Sequence, residues 1–134
     1  VDAKILELTR EDPRYAYEAY EFVCEAVTFT QEQHGRRQPA EDDPHVSGAE
    51  LLRGACALAV REFGLMAPVV FRQWGVRTTD DVGAIVFALI KAEKLSKSDR
   101  DDPDDFHDLF DLEQELLGGF DLSTAGYPGR KGDR

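Results

Sequence analysis

The sequence predicts a mainly α fold: a compact helical domain with a helix-turn-helix-like (winged-helix-like) centre, with room for one short β-hairpin. Three observations carry that expectation. Val46-Ser47-Gly48-Ala49-Glu50-Leu51 is a complete helix start: Ser47 can accept from the third helical N–H, Glu50 can reach back to the Ser47 N–H, and Val46 can pack on Leu51. Apolar residues then recur at helical spacing from Leu51 to Phe63 and from Val82 to Ile90. Finally, Trp74-Gly75-Val76-Arg77-Thr78 joins a short apolar helix to a longer amphipathic one with the spacing of a helix-turn-helix.

In chain order, Asp2 to Leu8 carries Ile5, Leu6 and Leu8, enough for a turn or two of helix before Asp12-Pro13. Asp12 as cap and Pro13 as first residue, where the missing N–H is not needed, predict a helix from Pro13 to Gln33 ended by Gly35. Its core stripe is Ala16, Tyr20, Val23, Val27 and Thr30, widened by Ala19 and Cys24. Arg36 to Pro44 is polar, rich in turn formers and aperiodic, and reads as a loop. The helix that follows Ser47 has an apolar stripe broad enough for contacts on two sides and closes at Gly64, so it should be central. Leu65 to Trp74 is a short apolar helix with Pro68 near its first turn. Thr78 or Thr79 caps the next, which ends near Lys94. Asp80 and Asp81 favour its start through the helix dipole. Gly83 within it costs about 1 kcal/mol relative to alanine, which points to close approach by a neighbouring helix.

Leu95 to Ser98 and Asp105 to Phe110 flank an acidic stretch and are compatible with a hairpin, a loop being the alternative. Asp111 caps a last helix from Leu112 to Leu117 that Gly118-Gly119 should stop. Residues 1–120 thus form one domain, and 121–134, ending in Gly129-Arg130-Lys131-Gly132-Asp133-Arg134, a flexible, locally basic C-terminal tail.

Twenty-seven acidic against sixteen basic residues give a net charge of −11, which repels phosphate backbones and anionic lipid and favours basic partners. Cys24 and Cys56 sit among apolar helical positions without metal-ligand spacing and read as small core residues in a reducing, cytoplasmic compartment. No run of about eighteen apolar residues and no signal peptide is found, so no membrane association is expected.

The segments together resemble an uncharacterised family of small bacterial proteins found mainly in planctomycetes and verrucomicrobia. The resemblance rests on Asp12-Pro13-Arg14-Tyr15, Glu18 to Val23, Thr30-Gln31, His45-Val46-Ser47-Gly48, Phe63-Gly64, Trp74-Gly75-Val76, Ile85-Val86-Phe87 and Phe106 to Asp111, within Leu6 to Phe120. It implies a bacterial cytoplasmic protein, planctomycete by source, and carries over no activity and no site residue.

Chemistry has little to hold. An EF-hand register begun at Asp99 places Pro103 fifth, Asp104 where glycine is needed and Phe110 where the bidentate glutamate belongs, so the acidic segment reads as solvated. His34, His45 and His107 do not pair at i, i+4, and neither cysteine has a neighbouring base. No catalytic residue, cofactor or metal is expected. The candidate contacts to a protein partner, a second copy of the chain or a basic protein, are Tyr15, Phe22, Asp80, Asp81, Asp101 and Asp102; for Tyr15 and Phe22 the competing reading is core packing. The leading expectation is a non-enzymatic acidic interaction or adaptor domain, and the alternative a degenerate winged-helix regulator that binds nucleic acid. The acidic start of the helix after Thr78 opposes that alternative, because this is where such proteins meet base edges.

Overall fold

The computed structural model describes residues 1–37, 46–96 and 102–124. Among these the chain is mainly helical, with no strand: α1 (Ala3–Glu11), α2 (Tyr17–Arg37), α3 (Gly48–Phe63), α4 (Ala67–Gln73), α5 (Thr79–Lys91) and α6 (Leu112–Thr124), with 3-10 turns at Gly64–Met66 and Pro103–Phe106. The helix α3 is central as expected. It packs on α2, α4, α5, α6 and the Pro103–Phe106 turn, and buries Leu51, Leu52, Ala55, Cys56, Leu58 and Ala59.

At α3, α5 and α6 the caps form as the sequence predicts. Ser47 Oγ accepts from Glu50 N at 3.1 Å while Glu50 Oε1 accepts from Ser47 N at 2.8 Å. A second box opens α5, where Thr78 and Asp81 exchange the same pair of bonds. Asp111 Oδ1 accepts from Gln114 N at the start of α6. The end of α5 comes at Lys91, with Glu93 in the left-handed region (φ 65°) and the Lys94 N–H donating back to the Leu89 carbonyl.

Four expected boundaries move. Asp12-Pro13 does not begin α2: Asp12 Oδ1 accepts from Arg14 N in a local turn, the Ala16 N–H donates to the Trp74 carbonyl, and the helix begins at Tyr17. Gly35 does not stop α2, which runs to Arg37. Gly118-Gly119 does not stop α6, which continues to Thr124 and so passes the expected domain limit at residue 120. The second arm of the hairpin is absent: Asp102 caps a 3-10 turn whose buried Phe106 seats on α5, and extended pairing would withdraw that ring. The Lys97–Asp101 half of that expectation, the loop at 38–45 with His45, and the tail at 125–134 lie outside the described residues.

One stretch, Gly48–Gln73, is long enough for a membrane span and holds an 18-residue window with a mean hydropathy of 1.5, although Arg61-Glu62 interrupts its apolar run. Here the stretch is two helices broken at Gly64 (φ 56°), and Leu51, Leu52, Ala59, Ala67 and Phe71 within it belong to the core.

Gly83 is a site of close approach, although the neighbour is a 3-10 turn rather than an α-helix. A Cβ there would lie 2.6 Å from Phe106 Cβ and 2.8 Å from its Cγ. Phe106 has little room to retreat, since Thr79 Oγ1 donates to its carbonyl at 2.7 Å. Gly83→Ala is therefore expected to destabilise despite the ~1 kcal/mol gain in helix propensity, overpacking costing about 1–3 kcal/mol, and Gly83→Leu more. A urea midpoint for Gly83→Ala at or above that of the parent would remove the packing claim.

Candidate functional site

The start of α5 holds the densest polar network among the described residues that join distant parts of the chain. Its origin is local. Thr78 is extended (φ −133°, ψ 166°) and caps the helix, so Asp81 is drawn back over the first turn, accepting at Oδ2 from Arg77 N (2.8 Å) and Thr78 N (3.0 Å). Its other oxygen accepts from Tyr15 Oη at 2.6 Å. The Tyr15 phenol is pushed well above its ordinary value, first by burial and then by this bond to a carboxylate.

Asp80 faces the other way. Its Oδ1 lies 2.9 Å from His107 Nδ1 and its Oδ2 accepts from Asp108 N at 3.1 Å. Thr79, fully buried, donates to the Phe106 carbonyl and accepts from Leu109 N at 3.1 Å. Asp108 takes φ 42° to turn the chain here, a conformation aspartate tolerates better than most residues. The segment Phe106–Leu109 thus sits across the start of α5, and every side chain from Thr78 to Asp81 is engaged in holding it, the cap or Tyr15.

The pairing of His107 with Asp80 has a pH signature. The hydrogen bond to Asp80, then its charge, holds the imidazole above its ordinary 6.5, and the same bond holds the Asp80 carboxyl below 3.8. A raised imidazole favours the folded state fully below pH 6.5, and that contribution is lost as pH rises through the folded value. A lowered carboxyl contributes above pH 3.8 and is lost as pH falls through its folded value. The pair is therefore strongest between the two limits. Both side chains are largely exposed, so the global melt should barely move. An NMR titration reads it directly: His107 should titrate above 6.5 and return toward 6.5 in Asp80→Asn.

The candidate contact residues are dispersed. Tyr15 and Phe22 are core residues, 3% and 5% exposed, which corrects their assignment as protein contacts. Phe22 lies among Phe63, Phe71 and Trp74 because α2 starts at Tyr17 and turns its Phe22 face onto α3 and α4. Asp80 and Asp81 do lie at one place, but their oxygens are committed within the chain. Asp102 is exposed and caps its 3-10 turn, accepting from Asp104 N at 2.9 Å; Asp101 lies outside the described residues.

Other chemistry-bearing groups stand apart. Burial, with Glu115 second, pushes the Cys56 thiol up to about 12, and burial raises Cys24 too, so neither is poised as a nucleophile. His34 Nδ1 lies 3.6 Å from Glu50 Oε2, at the start of α3 and away from the network around His107. Among the described residues no three His, Cys, Asp or Glu side chains converge as metal ligands would. A cleft of about 290 Å³ between α2, the start of α3 and α5 is lined by Val27, Gln31, Ser47, Leu51, Ile90 and Phe106 among others; among the described residues its one charged lining side chain, Lys94, is paired with Asp2.

The sequence did carry a signal for the missed Thr79 contact. One threonine suffices for a cap, and the second hydroxyl beside it, if buried, needs partners of its own. Tyr15 bonding to Asp81 had no such signal, since it links residues 66 positions apart. No protein-family model, curated protein or solved structure matches this chain.

Proposed function

We propose that this chain is a non-enzymatic, acidic protein-interaction or adaptor domain of the bacterial cytoplasm, acting on a basic protein partner. The choice between protein and nucleic acid rests on one observation: the start of α5, where a helix-turn-helix reader would meet base edges, is capped by Asp81 and covered by Phe106–Leu109. The helices on either side of the Trp74–Thr78 turn share α3 but otherwise serve different neighbours, α4 packing on α6, and α5 on α2 and the Pro103–Phe106 turn. The turn thus supports core construction rather than a protruding reading head. The net charge of −11 supports a basic partner through complementarity and faster encounter. Two free thiols with raised pKa values fit a reducing compartment. The resemblance to the planctomycete and verrucomicrobial family supplies the bacterial source in this proposal.

The test pairs two measurements on the full chain. Cross-linked capture from a bacterium that encodes it should return one stoichiometric protein of high isoelectric point, whose binding to the purified chain weakens as salt rises. Random duplex DNA in an anisotropy titration should produce no change at low salt. Salt-dependent DNA binding would favour the degenerate winged-helix reading and overturn this one; so would the absence of any basic partner.

A further inference from the structure

We propose that the exposed apolar face formed by Leu65, Met66 and Val69 is where two copies of this chain meet. Leu65 and Met66 are 66% and 54% exposed, the most exposed large apolar side chains among the described residues apart from Val1, and they are consecutive. The break at Gly64 causes this. With φ 56° and ψ −131° at Gly64, the chain leaves the axis of α3 and enters a 3-10 turn that buries none of its three residues. Val69, one helical turn further on, is also exposed and falls at i+4 from Leu65 and i+3 from Met66, on the same side. An apolar cluster of this kind marks an interaction surface more often than an isolated exposed leucine does.

Charge selects the occupant. The molecule as a whole is strongly acidic, yet the charged residues nearest this face in sequence carry both signs: Arg61 and Glu62 precede it, 3.8 Å apart, and Arg72 follows it, 3.3 Å from Glu113. A basic partner would gain little here over the acidic remainder of the surface. A two-fold contact, by contrast, brings the same patch against itself and needs opposite charges on one surface around an apolar centre, and this face supplies both. Three side chains cover much less than the roughly 800 Å² per partner of a stable interface. The association is therefore weak and concentration-dependent. It stands independently of the basic partner proposed above and has the opposite response to salt, because screening removes the repulsion between two copies of net charge −11, whereas it weakens attraction to a cation.

Sedimentation equilibrium over a wide concentration range, at low and high salt, tests this. Dimer formation should tighten with salt, and Leu65→Gln with Met66→Gln in one chain should weaken it at least tenfold without lowering the melting temperature measured on dilute protein. Leu6→Gln, at an exposed leucine on α1, should leave it unchanged. A second readout needs no variant: Met66 is the sole methionine, and its conversion to the sulfoxide by hydrogen peroxide, in which the thioether sulfur takes one oxygen and water leaves, should slow as concentration rises. A chain that stays monomeric at high salt, a dimer that the double variant retains, or a Met66 oxidation rate independent of concentration would each overturn the proposal.

Discussion

Phe22→Ala is expected to cost about 3–5 kcal/mol, the range for truncating a buried aromatic ring and leaving a cavity. A domain of ordinary stability has only about 5–15 kcal/mol to lose, so the variant should approach unfolding at physiological temperature. The reason lies in where the ring stands. Its centroid is 5.9 Å from that of Phe63, 5.6 Å from Phe71 and 5.4 Å from Trp74, so one side chain of α2 contacts the end of α3, the middle of α4 and the residue that ends α4. Phe63 and Phe71 also contact Trp74, at 5.7 and 5.6 Å, which leaves the four rings without a slack neighbour to fill the space. Urea unfolding followed by the fluorescence of Trp74, the sole tryptophan, measures the loss. Phe22→Leu, which keeps most of the volume, should cost much less. If Phe22→Ala unfolded at the parent's urea midpoint, the ring would have to lie at a surface, as the interface reading of the sequence had it.

Gly75→Ala should cost about 2–5 kcal/mol through two additive causes. Gly75 has φ 86°, which a side chain enters only with about 1–2 kcal/mol of strain. A Cβ would also fall 2.1 Å from the Arg14 carbonyl oxygen, a backbone atom held near by the Ala16 N–H to Trp74 carbonyl bond at 3.1 Å, and this overpacking adds about 1–3 kcal/mol. Gly64→Ala separates the two. Gly64 also has a positive φ, of 56°, but no atom lies within 4 Å of the place its new methyl would take, so that variant carries the strain alone. Calorimetric melts of both chains should therefore rank Gly75→Ala as the more damaging. Equal losses would mean that the Arg14–Ala16 turn moves aside freely. In that case the Tyr15 bond to Asp81, which the same turn positions, should survive the substitution.

What could be read from the sequence is what neighbouring residues encode among themselves. The box at Ser47/Glu50 and a threonine cap at Thr78 or Thr79 were legible because a cap is a matter of three or four neighbouring residues, although the return bond from Asp81 was not read. Gly83 was legible as well, since a glycine inside a periodic stripe has a propensity cost that needs a compensating contact. Gly54 carries the same signal in α3 and marks a close approach to α2, where a Cβ would lie 1.9 Å from Thr30 Oγ1. Asp12-Pro13 misled because it fits a helix start on its own, and only the distant Trp74 carbonyl takes the Ala16 N–H out of that helix. Gly118-Gly119 misled in the opposite sense: α6 continues through two poor helix formers, and nothing packed around Gly118 explains why. The site at α5 was half legible. The acidic start and its caps could be read directly, whereas the Phe106–Leu109 cover depends on Thr79 meeting a segment 27 to 30 residues away.

Those distant bonds have a kinetic consequence. Helical domains usually fold fast because most of their contacts are near in sequence, and the search for each is short. Here Tyr15 closes on Asp81 across 66 residues, and Asp2 closes on Lys94 across 92, so these two bonds to the turn before α2 and the start of α1 form only after α5 exists. Two of the bonds that hold the N-terminal turn are therefore missing until synthesis has passed α5, and each needs a longer search than the helix-local contacts around it.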